Sequence, residues 1–212
     1  LNSPSPSIDR RETIFINVAT INRLKCQSNL IRAFAWHIQK YPNSRLHLVG
    51  TFGDEVYAEE LRDLIRDLKL AKFVRLHGQK PRRIVLRMLR QSDCLVLPSL
   101  TEGCSIALAE GLTSRIAVIA SDVGSVPELA PQFENLQVIP SMIDDIVTVS
   151  ADNCWSTLKS SQPAFEDRIT EALDHYAENR SVARELRRKE EVKELEIYDQ
   201  RLMIANYINI FS

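Results

Sequence analysis

Charge of either sign is not in surplus in this chain of 212 residues. Lys and Arg number 27 against 28 Asp and Glu, a formal net charge of −1. No global field therefore draws the protein to nucleic acid or to an anionic membrane, and any electrostatic partner must be met locally. Cysteine is scarce too: Cys26, Cys94, Cys104 and Cys154 show no Cys-x-x-Cys spacing and no histidine beside them in a zinc pattern. That argues against a disulfide framework or a metal site and fits a reducing cytoplasm. No apolar run approaches the roughly 20 residues that span a bilayer, and Leu1-Asn2-Ser3-Pro4-Ser5-Pro6-Ser7 lacks the basic and apolar regions of a signal peptide. No Gly-x-Gly-x-x-Gly follows the first strand-like run, which argues against a dinucleotide cofactor. The expectation is a soluble protein, or one that only touches a membrane surface.

What the chain does contain is 44% hydrophobic residues, enough for a sizeable core. Residues 1–11 are Ser, Pro and charge, which cannot bury apolar area and read as a linker from something upstream. The absence of an initiator Met suggests a fragment in the same way. Ile14–Ala19 then reads as a first strand, followed by a helix with Leu30, Ile31, Phe34, Ala35 and Ile38 at helical spacing and Ser28 as its candidate cap. The alternation repeats through strand Arg45–Gly50, a helix carrying Val56, Leu61, Leu64, Ile65 and Leu68, and strand Phe73–His77. A helix with Ile84, Val85, Met88 and Leu89 follows, then strand 93–97, a helix near residue 106, strand 116–120, a turn holding Pro127-Glu128-Leu129, and strand Leu136–Ile139. Six strands alternating with helices mark an α/β fold. The expected form is a Rossmann-like doubly wound parallel sheet with helices on both faces, over residues 12–140. Residues 141–162 read as irregular and 163–212 as charged C-terminal helices with apolar stripes at Leu173, Tyr176, Leu186, Leu202, Ile204, Tyr207, Ile208 and Phe211, packing on the domain. The mixed-sign run Arg184–Glu196 reads as a solvated face.

Ligands of such sheets bind beyond the carboxyl ends of the strands, near the point where strand order reverses. On that edge Glu102 and Glu110, eight positions apart, bracket a Gly-containing turn and a helix start. A helical rise sets them on the order of 10 Å apart along the axis. That is too far for the roughly 5 Å of a retaining hydrolase pair and at or beyond the roughly 6.5–9.5 Å of an inverting one. Each acid more plausibly grips a separate part of one long ligand. A carboxylate only accepts, and a vicinal diol offers two O–H donors, so a ribose at one end and a hexose at the other would fit. The N–H groups of Gly103, Cys104, Ser105 and Ile106 lie between, at a helix start suited to phosphate or sugar hydroxyls. On spacing alone the bland reading, a turn residue and a helix-surface acid, stands equally open.

The wider sequence shifts that balance. Lys25, Asn29–Phe34, Leu46–Gly50, Val74–Gly78, Ser92–Ser99, the Glu102–Glu110 stretch and Asp122–Glu128 together resemble the C-terminal, donor-binding half of a GT-B glycosyltransferase of the GT4 type, over about residues 12–140. The resemblance implies one half of a GT-B fold and a retaining transferase that moves a hexose-type sugar from a UDP- or GDP-sugar without a metal or other cofactor. Glu110 would hold the ribose hydroxyls, while Glu102 and the amides from Gly103 to Ile106 would contact the transferred sugar. Lys25 would neutralise the leaving diphosphate, acting with Glu102 as the catalytic pair. The nucleobase would pack by the end of the third strand, at His77, Gly78 and Lys80, with Gly50 on the same edge. Ala19-Thr20 stands where the family usually has Gly-Arg, so a diphosphate guanidinium is missing at Thr20 unless Arg23 reaches over. Cys26 and Gly111 also depart from the family's small residues there.

The implied partners are the nucleotide-sugar donor, an acceptor-binding N-terminal domain absent from this chain, and a lipid- or glycan-linked acceptor at a membrane surface. The implied location is cytoplasmic, on the inner face of the membrane if peripheral, in cell-surface polysaccharide synthesis. The isolated chain is expected to bind donor without turnover. The rival reading is a non-catalytic nucleotide-sugar-binding or assembly module with a degenerate phosphate site; a sugar-nucleotide epimerase of similar architecture is a third. His77 is open between a structural and a base-contacting role, and His37, His47 and His175 read as structural. Lys80, Arg82, Arg83, Arg87 and Arg90 read as a solvated basic face, or as attraction to anionic lipid or donor phosphates; with no stacking aromatics among them, nucleic acid is not expected.

Overall fold

Short β-branched runs separated by amphipathic stretches can bury both kinds of surface only by layering. In the computed structural model, which describes residues 12–103, 105–142, 161–181 and 183–184, they do so. The elements run β1 (Thr13–Val18), α1 (Gln27–Lys40), β2 (Ser44–Val49), α2 (Glu55–Asp67), β3 (Val74–Leu76), α3 (Arg82–Gln91), β4 (Cys94–Leu97), α4 (Ile106–Thr113), β5 (Ala117–Ser121), α5 (Val126–Leu129), β6 (Leu136–Ile139) and α6 (Pro163–Glu178). All six strands are parallel, in the order β3-β2-β1-β4-β5-β6. Strand order therefore reverses between β1 and β4. There the ladder joins only Phe15 to Cys94 and Ile16 to Leu95, and beyond it the Asn17 amide donates to the Val96 carbonyl at 2.8 Å.

The period-two alternation of each strand sorts its side chains between two cores. Phe15, Leu46, Leu48, Cys94, Val96 and Ile119 meet α1, α2 and α6 through residues such as Phe34, Leu61, Ile169 and Leu173. Ile16, Val49, Leu95, Leu97, Val118 and Ala120 meet α3, α4 and α5 through Leu89, Leu108, Leu112 and Val126. Phe15 lies edge-on to Phe34, His37 and Tyr176, tying β1 to α1 and α6. His37 bridges Asp174 at 2.6 Å and Ser44 at 2.9 Å, so it is structural.

Several expectations need correction. Ser28 does not cap α1: it lies inside the helix, its N–H bonds the Tyr57 hydroxyl at 2.9 Å, and the N-cap is Cys26 in the left-handed region at φ 51°. Val56 is 68% exposed, because it sits in the first turn of α2 on the face opposite Tyr57, Ala58, Leu61 and Ile65. Of the α3 apolar residues only Leu89 is fully buried. Pro127–Leu129 forms a short helix, α5, rather than a plain turn.

Arg184 is not a solvated charge. Its Nε and Nη2 donate to Asp93 Oδ1 at 2.9 and 2.7 Å, while Asp93 Oδ2 accepts the Ile14 N–H at 2.8 Å. The segment after α6 thereby clamps the amino ends of β1 and β4. The expected linker at 1–11, most of the irregular segment 141–162, the rest of the run Arg184–Glu196, and the stripes at Leu186, Leu202, Ile204, Tyr207, Ile208 and Phe211 lie outside the described residues. No helix among the described residues is long and apolar enough to cross a membrane.

Candidate active site

Parallel strands deliver their following turns to one edge, and the β1 and β4 turns face each other across the reversal point. After β1 the chain makes a 3-10 turn, Arg23–Lys25, and left-handed Cys26 redirects it into α1. The Leu100 N–H donates to the Leu24 carbonyl at 2.8 Å, stitching the two turns together. Lys25 extends across this seam. Its ammonium meets Glu102 Oε1 at 2.8 Å and the Thr101 carbonyl at 3.2 Å, with side chains only 19% and 14% exposed for Lys25 and Glu102. The Ser99 hydroxyl donates to the same Glu102 oxygen at 2.7 Å.

Glu102 and Gly103 form a turn against a third loop. Gly124 has φ +59°, and a Cβ there would come within 2.6 Å of the Glu102 carbonyl oxygen, so only glycine allows the approach. The neighbouring Ser125 N–H bonds the Gly103 carbonyl at 3.3 Å. On its other side Gly103 faces open space. Ser105 caps α4, its Oγ accepting the Leu108 N–H at 3.3 Å, and the amides of Ile106 and Ala107 remain at the mouth of the helix. Ile106 is 68% exposed at this mouth. Cys104 lies outside the described residues.

Glu110 follows one turn into α4, with Oε1 accepting Arg82 Nε at 2.9 Å; the acid is 12% exposed and the arginine 73%. Gly111 next to it packs closely on β4, and a Cβ there would require the end of the Leu95 side chain to move. Each of the two carboxylates thus has its own cation, Lys25 for Glu102 and Arg82 for Glu110.

The remaining predicted residues line the neighbouring strand ends. A Cβ on Gly50 would overlap the Ala19 carbonyl oxygen, so Gly50 is what lets the Ala19-Thr20 backbone cross the end of β2. Its N–H bonds the carbonyl of Gly78, which is itself at φ +67°. Thr20 is exposed, and its carbonyl accepts from the Gln27 amide at 3.0 Å.

Arg23 does not join Lys25. Its Nη2 meets Glu60 at 2.6 Å, its Nε lies 3.9 Å from Asp54, and its guanidinium stacks over Tyr57, which commits the charge to α2. Asp54 at the cap of α2 and Glu60 within it hold this side chain away from the first turn's Lys25.

His77 stacks on His47 at 4.9 Å, and the rings share a 2.7 Å hydrogen bond. Burial, then the nearby charges of His47, Arg75 and Lys80, lowers the His77 pKa to about 4. Burial lowers His47 as well. With both rings shifted below the ordinary histidine value they are mainly neutral at pH 7, one nitrogen donating and the other accepting in the shared hydrogen bond. Lys80, half-buried, follows on the same edge. Among the described residues no group of three or more His, Cys, Asp or Glu side chains is placed to hold a metal ion.

Sequence reasoning passed over three residues. Ser99 carried a usable signal, three positions before Glu102 and just past a buried strand. Gly124 was visible only as part of a motif. Arg82 was read in a surface charge run, and its pairing with Glu110 depends on how α3 and α4 sit side by side.

Residues 2–149, more than half of the chain, match the family of glycosyl transferases group 1. An uncharacterized glycosyltransferase of Methanocaldococcus jannaschii is 33% identical over 122 residues, which is 57% of this chain and 29% of that protein. A D-inositol 3-phosphate glycosyltransferase of Corynebacterium kroppenstedtii is 29% identical over 119 residues, 54% of this chain and 26% of that protein. The match thus spans under a third of either relative. Among solved structures, the C-terminal domain of the group 1 glycosyl transferase LpcC of Francisella tularensis superposes with a TM-score of 0.57 at 19% identity, covering 79% of this chain and 85% of that one. Anabaena HepE in complex with UDP gives 0.55 at 19% identity, covering 82% and 48%. These likenesses show the fold; the family match adds the lineage, and the chain belongs to the glycosyl transferases group 1.

Proposed function

We propose that this chain is the donor-binding half of a retaining glycosyltransferase that moves a hexose-type sugar from a UDP- or GDP-sugar to an acceptor held by an N-terminal domain. The observation that carries the reading is the Lys25–Glu102 contact across the strand-order reversal, with Glu110 further along the same helix mouth. A cation for the diphosphate and an acid for the sugar occur at one point, and a second acid for the ribose lies beyond them.

In this reading Glu110 accepts from the ribose hydroxyls, and the amides of Gly103, Cys104, Ser105 and Ile106 meet the phosphate and sugar. Lys25 turns from Glu102 toward the diphosphate as negative charge develops on it, which supplies the neutralisation a metal gives elsewhere. The glycosidic C1–O bond to phosphate breaks, the acceptor oxygen bonds C1 on the same face, and the acceptor proton goes to the departing phosphate oxygen. The base rests by His77, Gly78 and Lys80. The acceptor is lipid- or glycan-linked, at the inner face of a membrane, and this half alone binds donor without turning it over. HepE, crystallised with UDP and with UDP-glucose, supports a uridine donor.

The commitment of Arg23 to Glu60 favours a second reading, a non-catalytic nucleotide-sugar module whose phosphate grip has weakened. Calorimetric titration with UDP, GDP and ADP separates the two. Binding of UDP or GDP, with transfer by the protein carrying its N-terminal domain, supports the first; binding without transfer by that longer protein supports the second. No binding of any nucleotide overturns both.

A further inference from the structure

Ser99 lies two residues beyond β4 at 1% exposure, and its hydroxyl donates to Glu102 Oε1 at 2.7 Å. Lys25 meets that same oxygen at 2.8 Å. Two donors from different loops converge on one oxygen, while Oε2 takes no hydrogen bond among the described residues. The last torsion of a free glutamate is broad, so an unheld carboxylate would present either oxygen at many angles. Here it is fixed, with one oxygen occupied and one left over.

The two donors differ in what a ligand does to them. A diphosphate draws the Lys25 ammonium away, because two phosphates offer it more negative charge than one carboxylate. The neutral, buried Ser99 hydroxyl has no such reason to leave, and leaving Glu102 would strand a buried donor.

We propose that Ser99 is the positioning residue for the first carboxylate, holding Glu102 through Oε1 so that Oε2 faces the transferred sugar and distinguishes a sugar nucleotide from the bare diphosphate. The proposal rests on the sugar-contacting role given to Glu102 above. Ser99 itself touches no substrate; it acts through Glu102. Its loss therefore affects the sugar-dependent part of binding and leaves the nucleotide part alone, which a merely structural serine would not do.

The test is a cycle on the protein with its N-terminal domain, measuring affinity for UDP and UDP-glucose, and for GDP and GDP-mannose if GDP is the nucleotide held. Wild type, Ser99→Ala, Glu102→Gln and the double variant are compared, with thermal unfolding as a check on the fold. The expected result is that Ser99→Ala keeps UDP affinity within about 2-fold and lowers the preference for the sugar nucleotide about 10-fold, the scale of a hydrogen bond to a charged group. In the Glu102→Gln background the same change should cost less than about 2-fold, as expected for two residues acting as one unit.

An equal loss for UDP and UDP-glucose overturns the proposal, as does no loss, or a loss that is undiminished in the Glu102→Gln background. A wild type that holds the sugar nucleotide no better than the diphosphate overturns it too. A wild type that binds no nucleotide retracts the donor-site reading itself, and is thereby distinct from these outcomes. Should Ser99→Ala fail to fold, Ser99→Cys, of similar volume but a weaker donor, provides the same comparison.

Discussion

Replacing Lys25 by methionine keeps the stem of the side chain and removes its charge. In the native protein the ammonium lies 2.8 Å from Glu102 Oε1, with the two side chains 19% and 14% exposed. At that separation and an effective dielectric of 20 the gross attraction is about 6 kcal/mol, most of which offsets desolvation of the two ions. Deleting one partner of a fully buried pair costs about 3–5 kcal/mol, whereas an exposed pair contributes about 0–1. This pair lies between those limits, so Lys25→Met should cost about 2 kcal/mol. For a domain of this size that lowers Tm by about 4–8 °C. Adding Glu102→Gln removes the stranded carboxylate and should restore at least half of the loss, since no uncompensated charge is then left in the part-buried site. Denaturant and thermal unfolding of the four members of the cycle measure this. A Lys25→Met protein as stable as wild type, or a double variant no more stable than the single, would refute the reasoning. Both variants should lose most of their affinity for UDP or GDP, because restoring stability does not restore the cation.

Three further outcomes follow from the same geometry. Gly50→Ala should cost more than about 3 kcal/mol and lower nucleotide affinity, because its Cβ would overlap the Ala19 carbonyl and displace the first turn; a Tm within 2–3 °C of wild type on that scale would count against it. Asp93→Ala should destabilise by about 2–4 kcal/mol, since it removes the carboxylate that accepts both from the Arg184 fork and from the part-buried Ile14 N–H, and the loss should appear in denaturant midpoint with nucleotide affinity in the folded fraction unchanged. His77 has a folded pKa of about 4, below its ordinary value. Between that value and about 6.5 the unfolded chain binds more protons than the folded one, so stability rises with pH through this window and falls on acidification. Urea midpoints at pH 7 and pH 5 should differ less in His77→Gln than in wild type, with a residual slope of the same sign from His37 and His47, which are also lowered.

The sheet was legible because its signals are local: each strand is a short buried run, and the period-two alternation of residues such as Phe15 and Ile16 sorts itself onto two faces. The strand-end location of Glu102, Glu110 and Lys25 followed from the alternation, since every turn after a parallel strand lands on one edge. What stayed hidden depends on contacts between segments distant in sequence. Nothing near Arg23 announces that Glu60 will claim it, and nothing near Arg184 announces Asp93, 91 positions away. Nor does anything near Ser28 announce that its amide will be taken by the Tyr57 hydroxyl, 29 positions away, in place of a side-chain cap there. The apolar pattern of α2 misled at Val56 because a first-turn residue can share the hydrophobic spacing and still face solvent.

The central claim is that Glu110 reads the ribose of a nucleotide, and the most direct measurement is the affinity of UDP against 2′,3′-dideoxy-UDP, or the guanosine pair if GDP binds more tightly, for wild type and Glu110→Ala. Wild type should favour the ribonucleotide by about 10- to 100-fold, the worth of a hydrogen bond to a charged group, and Glu110→Ala should hold both weakly and alike. A wild type indifferent to the missing hydroxyls, or a Glu110→Ala protein that still prefers the ribonucleotide, would contradict the account.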